Sequence, residues 1–166
     1  IDGYPIPPMQ KTVATVRQAR AGDSESGALA SRTPGSNLLE ADFSASGGDR
    51  LFFADGSDEI GGRGRRVLRE KAAWLERHQQ IFVRVEGHAD DRGSDDINSD
   101  LALRRAETVR DALVEAGVSA TRLHITAYGR ENRVSPCTAP ECLAQNRRAV
   151  LVLTDARGTR LSASQH

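Results

Sequence analysis

Long hydrophobic runs are missing from this chain. No stretch approaches the ~18 apolar residues of a membrane-spanning helix, which excludes a helical transmembrane segment. Aromatic residues are scarce, at 4% of the 166 residues. A core built without them rests on Leu, Val and Ala, and part of the chain is expected to pack against nothing. An excess of either charge is also absent: Lys+Arg and Asp+Glu both total 23, so the net charge gives no reason to expect nucleic acid as a partner. Phosphate-loop chemistry is missing too, because Gly61, Gly62 and Gly64 are not followed by the Lys-Ser/Thr that such a loop needs.

Only two cysteines occur, Cys137 and Cys142, in a loop-like segment with Pro136 and Pro140. Their closeness allows a disulfide in an oxidising compartment or two free thiols. No second cysteine pair supports a structural metal site. The chain opens on Ile-Asp-Gly-Tyr-Pro without an initiator Met. It is therefore expected to be a processed or trimmed piece whose export signal or anchor lies elsewhere.

Residues 1–38 read as a flexible tether. Tyr4-Pro-Ile-Pro-Pro favours an extended chain, and the Gly, Ser and Ala that follow carry few apolar residues. Residues 38–43 are expected to form an edge strand opening the domain, which spans residues 39–154. Residues 50–54 read as a buried strand, and Asp55-Gly-Ser-Asp58 as the turn into a helix starting near Ser57 or Asp58. Ile60, Val67, Leu68, Ala72 and Leu75 recur at helical spacing along it. A strand follows at 81–86, then a helix at 101–115 that buries Ala102, Ala106, Val109 and Leu113 and ends at Gly117. A strand at 123–128, a long polar loop, a helical turn near 143–146 and a last strand at 149–153 complete the domain. Residues 155–166 read as a polar tail that frays. Two strand–helix–strand units favour parallel crossovers, and a last strand entering through a loop can be antiparallel. The fold class is α/β: a two-layer sandwich with two main helices on a mixed sheet of about four strands.

The chemistry concentrates in Val83-Arg-Val-Glu-Gly-His-Ala-Asp-Asp-Arg-Gly-Ser94 and the helix after it. Asp90 lies just past a strand end, Arg105 lies in the helix, and Arg147 immediately precedes the last strand. One carboxylate and two guanidiniums would suit an α-amino acid centre, since a carboxylate takes an ammonium and an Arg fork takes a carboxylate. A structural ion-pair network has the same composition, so the pattern alone leaves both readings open. Catalysis is disfavoured. Adjacent Asp90 and Asp91 cannot flank a scissile bond as an acid pair does, and neither Ser94 nor Ser99 has a base fixed beside it. His88 is expected to hold the loop by hydrogen bonds.

Gly87-His-Ala-Asp-Asp-Arg-Gly93, Asn98, Leu101-Ala-Leu-Arg-Arg-Ala106 and Asn146-Arg-Arg-Ala-Val150 resemble the OmpA-like peptidoglycan-binding domain. Gly48-Asp-Arg-Leu-Phe-Phe-Ala-Asp55 and the loop ending Cys142-Leu-Ala-Gln-Asn-Arg-Arg148 are most similar to its form in the peptidoglycan-associated lipoproteins of Gram-negative bacteria. The resemblance runs from about Phe43 to Leu153. It implies non-covalent capture of the diaminopimelate residue in the peptide stem of peptidoglycan, with Asp90 on the ammonium, Arg105 on the carboxylate, and Asn98 and Arg147 in the pocket. Ile97, Asp91 and Arg92 would line the rim. Ala89 and Ala102 stand where the family commonly has Thr and Ser, which removes two hydroxyls but no charge. The resemblance further implies a disulfide between Cys137 and Cys142 and no cofactor, metal or catalytic residue. A periplasmic location follows, with an outer-membrane anchor outside this chain, and so does a partnership with TolB at a surface shared with peptidoglycan, with other Tol proteins as a wider expectation. The domain is expected to be monomeric. The same domain in a flagellar stator, a porin-like protein or a secretion-system anchor is the alternative; a cell-wall hydrolase is the more distant one.

Overall fold

The computed structural model describes residues 34–45, 47–90, 92–131 and 138–161. The expected tether up to residue 33, Asp91 and Cys137 lie outside the described residues. The elements are α1 (Pro34–Ala45), β1 (Arg50–Phe52), α2 (Gly62–Glu76), β2 (Phe82–His88), α3 (Asp95–Glu115), a 3-10 turn (Ala120–Arg122), β3 (Leu123–Gly129), α4 (Pro140–Asn146) and β4 (Arg148–Thr154).

The sheet order is β1-β4-β2-β3. β2 and β3 run parallel, as a helical crossover requires, and β4 is antiparallel to both β1 and β2. The expected two-layer sandwich on a mixed four-stranded sheet is therefore what forms. The last strand enters between the first two, which keeps β1 and β2 apart though they point the same way. Along β2, Val83 and Val85 face the helices and are fully buried, and Leu151 and Leu153 of β4 pair opposite them. Leu68, Ala72 and Leu75 of α2 and Ala106, Val109 and Leu113 of α3 close the core from above. Among the described residues no helix is long and apolar enough to cross a membrane.

Two expected elements differ in extent: the helix expected at 101–115 starts at Asp95, and the buried strand expected at 50–54 is the three-residue edge strand β1, with Leu51 buried and Phe52 exposed. Three further expectations fail. Residues 38–43 are helical, not an edge strand, and α1 begins inside the stretch assigned to the tether. Leu39 and Phe43 are four residues apart, so on a helix both reach the core; Phe43 is buried and Leu39 packs against it. Trp74 fixes α1 in place. It meets Phe43 edge-on at 5.0 Å and donates its indole N–H to Asp42 at 2.6 Å. Lys71, buried beneath, donates to the Phe43 carbonyl. The second failure is the start of α2, which lies at Gly62 and not at Ser57 or Asp58. Residues 57–61 stay extended enough for Ile60 to enter the core and for the Ser57 carbonyl to accept from Arg105. Third, the tail does not fray as far as it is described. Residues 155–161 turn back through Asp155, Leu161 donates to the Leu153 carbonyl at 3.0 Å, and Arg160 meets Glu40 of α1 at 3.0 Å.

Gly87 decides how closely α3 can lie on β2. A Cβ at this position would sit 1.9 Å from the Ala102 carbonyl oxygen, so the helix backbone rests on the strand itself. That contact carries the start of α3, and with it Asn98 and Arg105, to the end of β2 where Asp90 emerges.

Candidate functional site

The turn after β2 is built from its own side chains. Ser94 caps α3, accepting from the Ile97 backbone N–H at 3.2 Å, with Asp95 and Asp96 in the first turn where the helix dipole favours them. Gly93 takes φ +84°, a conformation glycine adopts without strain. Asn98, buried in α3, donates its side-chain amide to the Arg92 carbonyl at 2.7 Å and the Ser94 carbonyl at 3.0 Å. Asn98 thus shapes the loop. On the other side the Ala89 N–H donates to the Gly129 carbonyl at 2.7 Å. The result is a short, tied loop with Asp90 at its base.

Asp90 is 6% exposed. One carboxylate oxygen accepts the Arg92 backbone N–H at 3.0 Å and the Arg92 Nε at 3.3 Å. The other accepts Arg92 Nη2 at 2.7 Å and faces Arg147 Nη1 at 3.5 Å. Burial opposes the charge of Asp90. The side-chain and backbone hydrogen bonds from Arg92, its charge and the hydrogen bond from Arg147 together outweigh burial, so the carboxyl titrates below its ordinary range.

The three guanidiniums at the site are held in different ways. Arg105, near the middle of α3, is fully buried and gives its fork to main-chain carbonyls: Nε to Ser57 at 2.8 Å, Nη1 to His88 at 2.9 Å and Nη2 to Ala54 at 3.2 Å. Its guanidinium also lies 5.2 Å from the centre of the Phe53 ring. Burial pulls its pKa down to about 10, with Asp90 pulling the other way, so it remains a cation at neutral pH. Arg147 donates Nε to the Phe53 carbonyl at 2.9 Å, and its side chain keeps 15% exposure. Arg92 is held by carboxylates, Asp90 within the loop and Asp55 across from β1, and stays 47% exposed.

The structure therefore brings Asp90, Arg92 and Arg147 into direct contact. Arg105 sits beside them with its fork turned to the backbone, a placement the spacing did not reveal. Ile97 is exposed on the rim at 61%. His88 is buried, but neither ring nitrogen has a hydrogen-bond partner among the described residues. Its ring stacks on Tyr128 at 5.1 Å and lies 3.9 Å from Glu86, so the loop is held through the His88 carbonyl and not through the imidazole. Asp55 and the carbonyls of Phe53, Ala54 and Ser57 are site components that charge spacing missed. The stretch Gly48–Asp55 was the available signal, because it lies among the motifs that carry the resemblance. Cys142 lies in α4 and is not a free thiol. Among the described residues no group of three or more His, Cys, Asp or Glu is placed to hold a metal ion.

The family model described as the OmpA family matches residues 52–147. The chain is 42% identical over 136 residues to the peptidoglycan-associated lipoprotein of Agrobacterium fabrum, covering 82% of this chain and 75% of the relative. It is 43% identical over 136 residues to that of Brucella melitensis, covering 82% and 79%. Among solved structures, the peptidoglycan-associated lipoprotein from Burkholderia pseudomallei superposes with a TM-score of 0.63 at 31% identity, covering 64% of this chain and 90% of that one. The C-terminal domain of Helicobacter pylori MotB gives 0.61 at 26% identity, covering 68% and 89%.

Proposed function

The chain belongs to the OmpA family, among its peptidoglycan-associated lipoproteins, and on that premise we propose that it holds peptidoglycan non-covalently by the diaminopimelate residue of the peptide stem. Membership places it in the periplasm, tethered to the outer membrane, as a binding protein of the Tol-Pal system and not an enzyme.

One observation carries the diaminopimelate reading: a nearly buried carboxylate, Asp90, with guanidiniums 2.7 and 3.5 Å away at the mouth of a tied loop. A free amino-acid head has an ammonium and a carboxylate about one bond angle apart. Its ammonium replaces a cation on Asp90, and its carboxylate falls to Arg147, which has one carbonyl to serve and some exposure left. Arg105 adds positive charge from beneath. It has five N–H donors against three carbonyls, and full burial means a ligand meets the remaining two only if the rim shifts. Ile97 offers an exposed apolar edge to the methylene chain of the ligand. Ala89 and Ala102 subtract no charge. We include TolB as a partner competing for this face, and a monomeric domain, as parts of the same proposal.

The test is calorimetric titration with a diaminopimelate-containing stem peptide beside its lysine counterpart. Lysine lacks the second carboxylate, and losing a charge-assisted contact weakens binding roughly 10- to 100-fold. Equal affinity for the two peptides would contradict the assignment of the pocket.

A further inference from the structure

Resting on the reading of Asp90 as the ammonium acceptor, we infer that Arg92 is the exchangeable counter-ion of that site: its guanidinium occupies the ligand's cation position until an ammonium displaces it, and so it sets how tightly and which ligands bind. Both Asp90 oxygens are taken. Arg92 supplies a backbone N–H at 3.0 Å, Nε at 3.3 Å and Nη2 at 2.7 Å, and Arg147 stands at 3.5 Å. An incoming ammonium cannot simply add to this set; one cation has to leave. Arg105 cannot be that cation, because leaving would break its hydrogen bonds to three carbonyls from a fully buried place. Arg147 is tied to the Phe53 carbonyl. Arg92 is half-exposed and holds nothing but carboxylates, and Asp55, 68% exposed, keeps its guanidinium at the rim after Asp90 lets go.

Exchange of one cation for another leaves the charge at Asp90 unchanged, so the carboxylate is never left bare. It also makes Arg92 a selectivity filter. A ligand whose side-chain amine is acylated has no cation to offer in return, and Arg92 keeps its place.

The experiment measures binding of the diaminopimelate stem peptide, with the folded state of each protein confirmed by melting. Arg92→Gln removes the competitor and is expected to bind about two- to fivefold tighter, in keeping with a half-exposed ion pair. Arg92→Lys restores a cation and returns affinity toward wild type. The gain disappears when Asp90→Asn is added to Arg92→Gln. In wild type, the Nε–H signal of Arg92 loses its protection from solvent exchange at saturation. Equal or weaker binding by Arg92→Gln overturns the inference while leaving the diaminopimelate reading in place. If wild type binds no stem peptide but Arg92→Gln does, the filter stands and the wall reading of the native protein falls. If neither binds, both fall.

Discussion

Arg105→Ala should unfold the site as well as silence it, and the size of the effect follows from who depends on that side chain. The carbonyls of Ala54 and Ser57, in the turn after β1, and of His88, at the end of β2, converge on one buried guanidinium at 3.2, 2.8 and 2.9 Å. Truncation takes this charged donor from all three, although the Ala54 carbonyl keeps the Ser57 N–H at 3.1 Å. A single buried group left unsatisfied costs about 1–3 kcal/mol, and water entering the vacated space recovers part of it, so a total of about 3–5 kcal/mol is expected. For a domain of this size that is a fall in Tm of roughly 10–20 °C. Asp90→Asn is the contrast. It keeps shape and one acceptor oxygen, so Tm should move by only a few degrees, in line with about 1 kcal/mol, while stem-peptide binding is lost. Arg105→Lys reaches one carbonyl instead of three and should recover less than half of the lost stability. The assays are thermal melting by circular dichroism and pelleting with isolated peptidoglycan. If Arg105→Ala melts within ~3 °C of wild type, far inside the expected fall, the three carbonyls do not depend on Arg105 and the reasoning fails.

Gly87→Ala tests the contact between α3 and β2. A Cβ 1.9 Å from the Ala102 carbonyl oxygen forces the helix off the strand, at a cost of about 3 kcal/mol or more, read as a lower urea midpoint; an unchanged midpoint would contradict the packing. The pH dependence follows from two shifts of known sign. Asp90 is depressed in the folded state, so its stabilisation is present above the ordinary carboxylate pKa of about 3.9 and is lost as pH falls through the lower folded value. Arg105, depressed to about 10, loses its proton first in the folded state; stability then rises with pH beyond that point while its charge at the site disappears. Binding followed by calorimetry should therefore be flat from about pH 5 to 9 and fall on both sides, and a step near pH 6–7 would implicate a histidine instead. A Cys137–Cys142 bridge closing so short a loop contributes about 2 kcal/mol; reductant should lower Tm accordingly, and superimposable melts would argue against the bridge.

Much of the architecture was legible because it rests on local periodicity. Val83 and Val85 alternate with Arg84 and Glu86, an alternation that Phe82 makes imperfect, and Ala102, Ala106, Val109 and Leu113 repeat at helical spacing, so β2 and α3 and the parallel crossover between β2 and β3 follow. The insertion of β4 between β1 and β2 could not be read, because pairing between Arg50 and Val150 depends on which edge the last strand finds and not on the composition of either strand. Helix α1 was misread for a related reason. Leu38-Leu39-Glu40-Ala41-Asp42-Phe43 fits a short apolar strand as well as a helix, and what decides is Trp74 and Lys71, far along the chain. At the site, charges at the right positions were visible, but their acceptors were not. Helical spacing sets Arg105, three residues after Ala102 and four before Val109, on the buried face and Arg104 off it, but does not reveal that Arg104 reaches Asp58 at 3.4 Å on the surface while Arg105 holds three carbonyls in the interior.

That difference in acceptors explains how one carboxylate can sit among three guanidiniums and still bind something. A guanidinium bonded to interior carbonyls gives up several charge-assisted hydrogen bonds at once if it leaves, so Arg105 is part of the scaffold. Arg122 does the same work at the far end of the sheet, giving its fork to the carbonyls of Leu75, His78 and Ile81. A guanidinium bonded to solvent-accessible carboxylates gives up little by moving, because water and a competing cation can satisfy both partners. Arg92 is in that position and Arg147 lies between the two. The gradient from 0% through 15% to 47% exposure thus ranks the three by how readily each yields to a ligand. Substitutions that exchange Arg for Lys should be tolerated in the same order, best at Arg92, where a point charge suffices, and worst at Arg105, where the planar fork itself joins the turn after β1 to the end of β2.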